Sequence, residues 1–471
     1  MLQQLGHLPM GWLLIALIAV FASIAFFAGR VRAERILLSG EQSLHSRPNY
    51  HGYFVAMWAL VPAVLVALTY AIGAEGISRN QLVSELPPAF DLLSDAEMKT
   101  YLDSVAQAAR AREDTGTDLV FTAVTHRYLE IRGSLNIGAL ALMVIGALGG
   151  LVFSRSRLGI RFRARSLVER GMETVLFLCA AVAIATTVGI VTSLLYESIQ
   201  FFRAVPIWDF LFGTRWNAQT EAEFGALPLF FGTFTIALIA MLVAAPIGLF
   251  SAIYLSEYAG PKARGWIKPI LEILAGIPTV VYGFFALLVV APAVRGLAIW
   301  INETLINIGL TTEPLLAAQP TSALAAGLVM GIMVIPFVSS LSDDVINAVP
   351  QTLRDGAYAL GATKSETVRN VVVPAALPGI IAALLLAVSR AIGETMIVVM
   401  AAGKSARISM DPTSDLTTIT VQIVSLMTGE TGFDDPKTLS AFALGLVLFA
   451  VTLFFNVIAL RVVQKYREKY D

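Results

Sequence analysis

Long apolar runs, separated by polar stretches rich in arginine and lysine, dominate the sequence. A helix needs roughly 20 mostly apolar residues to cross a bilayer, because hydrocarbon offers its backbone no hydrogen-bond partner. Nine runs meet that length, at 11–29, 53–73, 134–153, 172–196, 227–255, 269–293, 321–341, 378–402 and 438–460. The sixth and seventh have the least distinct edges, because 294–320 between them is itself fairly apolar. The expected fold class is all-α, a polytopic integral membrane protein with about nine transmembrane helices.

Charge sets the orientation. Basic residues gather in 30–52 (Arg30, Arg32, Arg35, Arg47), in 154–171 (Arg155, Arg157, Arg161, Arg163, Arg165, Arg170), in 256–268 (Lys262, Arg264, Lys268) and in the tail (Arg461, Lys465, Arg467, Lys469). Nine spans put all four segments on one side. The positive-inside rule makes that side the cytoplasm, with the N-terminus outside and the C-terminus inside. Met1 to Met10 carry no Lys or Arg, whereas arginines follow the first run. A signal peptide has the reverse order, so the run is read as a retained helix.

Three regions are expected. Residues 1–153 form an N-terminal extension of three spans with an outer loop at 74–133, 154–171 a basic cytoplasmic linker, and 172–471 a six-span core. No internal repeat is evident. In the outer loop, Ser94 and Glu97 form an S-x-x-E capping box, and Met98, Leu102, Val105 and Ala109 recur at helical spacing. This helix packs on its own loop or on the membrane surface; a docking surface for an extracytoplasmic partner is the alternative.

Composition narrows the function classes. Of 471 residues, 56% are hydrophobic and 14% charged, against about 45–50% and about 25% in soluble domains. Mean hydropathy is +0.74. A soluble enzyme and a disordered chain are excluded, and a net charge of −1 gives no field to attract nucleic acid. The single cysteine, Cys179, excludes an intrachain disulfide and a CxxC metal site. His7, His45, His51 and His126 are scattered outside any HExxH pattern, so no metal, cofactor or catalytic group is expected. The nearest string to a phosphate-binding loop, Gly403-Lys404-Ser405, has Val398 where the first glycine belongs. Energy must therefore come from a partner subunit or an ion gradient.

The segment 342–377 between spans seven and eight is too long for a plain connector. It reads as helix, turn, helix. Leu353, Ala357 and Leu360 form an apolar face, and Gly361 permits a close turn. Thr363 or Ser365 caps the second helix, with Val368, Val371 and Val372 following, and Pro374 and Pro378 reset the chain before span eight. An exposed helix pair of this kind suits a grip by a soluble motor; an amphipathic helix on the membrane face is the bland alternative. The segment resembles the EAA signature of binding-protein-dependent ABC importer permeases, E-A-A-x-x-x-G followed after nine residues by I-x-L-P. Here stand Asp355, Gly356 and Ala357, then Gly361, then Val371-x-Val373-Pro374, with Asp for Glu and Gly for the first Ala. The resemblance implies that 355–361 is the coupling helix seated in an ATPase subunit. Asp343 and Asp344, just below span seven, are expected to meet this loop or the ATPase.

Span eight carries S-R-A-I-G-E-T, with Arg390 and Glu394 near its expected middle. Such charges cost about 2.5–3.5 kcal/mol each on insertion scales and belong in the bundle interior. Four residues apart on one helix face, they can pair, with the Thr395 hydroxyl beside them. In one reading Arg390 lines an anion pathway and Glu394 orients it or weakens its grip; in the other the pair locks two helices. Pro246, Pro278 and Pro336 fall inside expected spans as kinks or hinges. Tyr282 and Thr279 line the pathway or serve packing.

The strings R-A-I-G-E-T-M, G-I-P-T-V-V-Y-G (276–283), A-L-G-A-T and L-G-L-V-L-F (444–449) resemble phosphate-specific permeases of the PstC type, a MetI-like fold, over about 172–461. This resemblance implies phosphate as substrate and a role in its passage for Arg390 and Glu394. It also implies a second, related permease chain, two ATP-binding cassette ATPase subunits, a periplasmic phosphate-binding protein and a bacterial inner membrane. A permease for sulfate, molybdate or phosphonate and an ion-coupled secondary transporter stay as alternatives. Residues 1–153 lie outside the resemblance.

Overall fold

A computed structural model describes residues 4, 6, 7, 9–38, 44–86, 90, 94–111, 119–218, 222–428 and 435–466. Arg467 and Lys469 lie outside the described residues. Among those described, nine helices are long and apolar enough to cross a membrane, one for each expected span. The chain divides into two compact units, 1–184 and 185–471.

The first unit contains α1 (Met10–Leu38), α2 (Pro48–Glu85), α3 (Asp95–Ala111) and α4 (Leu119–Ser156). Helices α1 and α4 both pack on α2. The expected loop 74–133 is largely helix, because α2 and α4 run on past their apolar stretches. On these extensions sits α3. Leu102, Val105, Ala106 and Ala109 are buried with Leu82, Val124, Tyr128 and Leu129, so the helix packs on its own unit. The capping box is formed: Ser94 N–H donates to Glu97 Oε2 at 2.9 Å and Glu97 N–H to Ser94 Oγ at 3.4 Å. Those bonds from the Ser94 backbone and hydroxyl hold the Glu97 carboxyl below its ordinary range.

Helix α5 (Ala164–Ala204) leads into the second unit. There follow α6 (Ile207–Phe212), a small antiparallel pair β1 (Trp216–Asn217) and β2 (Glu223–Phe224) with Trp216 opposite Phe224, and α7 (Leu227–Ile253). A π-turn, Tyr254–Tyr258, extends α7. Next come α8 (Pro261–Ala275), α9 (Thr279–Phe285), α10 (Ala291–Asn307), α11 (Ala323–Asn347), α12 (Gln351–Ala359), α13 (Lys364–Thr367), α14 (Val373–Ile392), α15 (Met396–Ala401), α16 (Ile419–Met427) and α17 (Pro436–Tyr466). Helix α11 is central: 61% of its apolar window is buried, more than in any other described span.

Two span boundaries depart from expectation. The sixth span runs through Thr279–Asn307, not 269–293. Gly276 ends α8 and Pro278 caps α9, so Pro278 marks a break and not a kink inside a span. Pro246 and Pro336 do lie inside α7 and α11. The eighth span runs through Lys364–Ile392, not 378–402. Pro374 and Pro378 do not reset the chain: Pro378 lies inside α14, and before Pro374 a π-turn at Val368–Val372 lets the Val373 N–H reach the Val368 carbonyl. That shift in the ladder accommodates Pro374 just beyond the turn, as membrane helices commonly do.

Close packing of α7 on α11 rests on Gly327 and Gly331, a G-x-x-x-G pair that brings two backbones together. A Cβ on Gly331 would stand 2.9 Å from Val243 Cβ and 3.0 Å from the Ala240 carbonyl oxygen. Gly331→Ala is therefore expected to cost about 1–3 kcal/mol by overpacking. Gly296→Ala in α10, where nothing lies within 4 Å, should leave thermal unfolding of the lipid-embedded chain unchanged.

Candidate functional site

The coupling segment has a rigid local design. Ala348 caps the end of α11, Pro350 caps the start of α12, and Gly361 turns the chain with φ +85°. That left-handed conformation favours glycine. Thr363 is the cap of α13, and it exchanges bonds with Glu366: Thr363 N–H donates to Glu366 Oε2 at 2.8 Å. Asp355, Gly356, Tyr358 and Leu360 are exposed, and Gln351 Nε2 donates to Asp355 Oδ1 at 3.1 Å. The apolar face differs from the expected one: Leu353 packs against the Ile346, Val349 and Val372 cluster, whereas Leu360 is 91% exposed.

Arg354, which the motif does not single out, anchors this segment. Its Nε and Nη2 donate to Glu257 Oε1 at 3.1 and 2.8 Å, Nη1 to the Val349 carbonyl and Nη2 to the Ile346 carbonyl. Both side chains are buried, at 10% and 8% exposure. One guanidinium thus ties α12 to the π-turn below α7 and to the end of α11. The partners lie 97 residues apart, so no local spacing could announce the pair.

A second ionic knot lies nearby. Asp343, 2% exposed, accepts from Arg264 Nη2 at 3.0 Å and Lys268 Nζ at 3.0 Å, both on α8. Asn347 Nδ2 adds a bond at 2.9 Å. Asp343 therefore takes its cations from the segment before span six, and its bond within 342–377 comes from Asn347. Asp344 is within 3.9 Å of Lys268.

Arg390 and Glu394 do not share a helix face. Helix α14 stops at Ile392 with Gly393 as its cap, which puts Arg390 in the last turn and Glu394 in the break beyond it. No ion pair joins them among the described residues; the expected pairing is corrected by this break. Glu394 Oε1 accepts the Met396 N–H at 3.2 Å, and its carbonyl accepts the Thr420 hydroxyl at 2.9 Å. The Thr395 hydroxyl donates to the Gly393 carbonyl at 3.4 Å. The Arg390 guanidinium stands 5.7 Å from the centre of the Phe337 ring. A cation is favoured at a helix C-terminus, so the position suits it.

Arg390 lines a cavity of about 360 Å³ together with Lys268, Glu272, Ser339, Ser340 and Asp343. Two cations and two hydroxyls facing one space can receive an oxyanion. Tyr282 is packed in the core and donates to the Leu274 carbonyl at 2.9 Å, which is a structural role. Pro374 lies in the helix that continues from α13 and is exposed. Among the described residues, no cluster of three His, Cys, Asp or Glu side chains is placed to hold a metal.

Comparison with known proteins covers both units. Residues 244–468 match the family of binding-protein-dependent transport system inner membrane components. Residues 15–186 match a family described as phosphate ATP-binding cassette transporter, so the N-terminal extension has relatives of its own. A probable ABC transporter permease protein YqgH of Bacillus subtilis is 32% identical over 62% of this chain and 89% of its own length. Phosphate transport system permease proteins PstC of Xylella fastidiosa and Mesorhizobium japonicum are 37% and 36% identical, over 60% and 54% of this chain and 87% and 77% of their own. The chain thus belongs to the PstC-type family of binding-protein-dependent ABC importer permeases.

Proposed function

We propose that this permease carries inorganic phosphate into the cytoplasm, driven by ATP hydrolysis in a partner subunit. The assembly holds a second related permease chain, two ATP-binding cassette ATPases and a periplasmic phosphate-binding protein. The N-terminus is outside and the C-terminus in the cytoplasm of a bacterial inner membrane; the basic segments that include Arg161, Arg264 and Arg461 support that orientation.

The observation that carries this reading is the cavity lined by Arg390 within the same unit that presents the coupling segment. A guanidinium offers a planar fork suited to phosphate-like oxygens. Glu394 and Thr395 shape the break that ends α14 beside it. Asp355, Gly356 and Ala357 face the ATPase, Gly361 fixes the turn that leads back into span eight, and Pro374 lies one residue into the α14 part of that span. When the ATPases close on ATP, they displace α12. The Arg354–Glu257 bond then carries that displacement to α7, and the Ile346 and Val349 carbonyls carry it to α11. Helices α7 and α11 are packed along their glycine faces, so they move together and switch access to the cavity.

Labelled-phosphate uptake tests the substrate. Phosphate-starved cells lacking this chain should lose high-affinity uptake, regain it with the wild-type chain and be insensitive to excess sulfate. Intact uptake after deletion sinks the phosphate reading, and inhibition by sulfate, molybdate or a phosphonate moves it to that oxyanion.

A further inference from the structure

We propose that Lys268 is a second oxyanion ligand of the pathway, which receives the anion from Arg390 and is held ready by an exchangeable bond to Asp343. This inference deepens the phosphate-permease reading and rests on it.

Lys268 and Arg390 open into the same cavity, with Ser339 and Ser340 on its wall. The acids facing it are Asp343 and Glu272. Asp343 does not depend on Lys268. Arg264 Nη2 contacts both its oxygens, at 3.2 and 3.0 Å, and Asn347 donates to Oδ1 at 2.9 Å. Neither Arg264 nor Asn347 lines the cavity, so Arg264 neutralises the buried carboxylate from behind and Asn347 adds a hydrogen bond. If the ammonium swings away, Asp343 keeps a cation and three hydrogen bonds.

Lys268 is built for such an exchange. Its side chain is 34% exposed, it ends in three donors, and it sits on a flexible stem. It can give one donor to an anion while another stays on Asp343. Arg354 makes the contrast: its guanidinium is buried and its bonds go to Glu257 and two carbonyls. The arrangement also explains release. Conduction needs binding strong enough to admit the ion and weak enough to free it. Asp343 competes with the anion for Lys268, and Glu272 repels it, so a tetrahedral oxyanion is held there only briefly. Lys268 thus lets the anion leave the Arg390 fork in two small steps.

The test uses the whole transporter, with both permease chains, ATPases and binding protein, in proteoliposomes with labelled inorganic phosphate. Lys268→Gln should lower phosphate moved per ATP about tenfold, the loss of one charge-assisted hydrogen bond, with assembly and ATP hydrolysis unchanged. Lys268→Arg should keep most transport. The double variant Lys268→Gln, Asp343→Asn, compared with Asp343→Asn alone, separates the roles: a mere counter-ion of Asp343 predicts no further loss from Lys268→Gln, whereas an anion ligand predicts the same loss of about tenfold. No further loss in the double variant relative to Asp343→Asn, or a wild-type rate in Lys268→Gln, overturns the proposal. Should the double variant fail to assemble, equal loss in Lys268→Gln and Lys268→Arg overturns it as well. A wild-type complex that moves no phosphate would instead sink the permease reading, so the two failures are distinct.

Discussion

Arg354→Met should destabilise the chain by about 3–5 kcal/mol and disconnect ATP hydrolysis from transport, because it strands a buried carboxylate. Glu257 is 8% exposed and Arg354 is its ion-pair partner. Losing the guanidinium leaves that carboxylate in a poorly hydrated site and removes the donors to the Ile346 and Val349 carbonyls. Each stranded group carries its own desolvation cost. Arg354→Lys keeps the charge but not the fork, so it should fall between the two. The double variant Arg354→Met, Glu257→Leu removes both charges and should recover much of the stability. It should not recover coupling, since the tie between α12 and the π-turn stays cut. Thermal unfolding in lipid nanodiscs reads the first effect, and phosphate moved per ATP reads the second. Equal unfolding temperatures for wild type and Arg354→Met would refute the latch.

What the sequence reveals here follows from how local each cause is. Apolar length is local, and each of the nine expected spans has its helix. Capping is local too: Ser94 with Glu97, and Thr363 with Glu366, both form as their spacing requires. The misreadings share another origin. Apart from Glu394 and Thr395, the residues from Gly393 to Ala402 are apolar, so hydropathy carried span eight straight through a break that only a short G-E-T string marks. Pro374 and Pro378 read as stops because proline removes a ladder bond, yet a π-turn precedes Pro374 and α14 continues through Pro378. Charge partners are the least legible. Asp343 stood out in the sequence, but its cations come from α8, 75 and 79 residues away. Glu257 gave no signal at all. The G-x-x-x-G pair in α11 was present as a known packing pattern and points to the α7 contact once both helices are drawn.

Arg390→Gln should abolish most transport while leaving the fold nearly untouched, the opposite balance to Arg354. Among the described residues the Arg390 guanidinium has no carboxylate partner, and its contact is the Phe337 ring at 5.7 Å. Its side chain is exposed to the cavity. Removing it therefore strands no buried acid, and the stability change should stay below about 1 kcal/mol. The anion, however, loses its planar donor pair. A charge-assisted hydrogen bond is worth about 1.5–3 kcal/mol, so transport should fall roughly 10- to 100-fold at equal amounts of assembled complex. Arg390→Lys should keep a fraction, since an ammonium attracts the anion without the bidentate fit. Glu394→Gln gives a useful control. Glutamine still accepts the Met396 N–H, so the break after α14 survives and transport should change little, whereas a direct Arg390–Glu394 lock would predict a loss as large as that of Arg390→Gln. Uptake, unfolding temperature and membrane abundance measured together on the three variants decide the matter. If Arg390→Gln lowers all three in proportion, the arginine is structural and the anion pathway lies elsewhere.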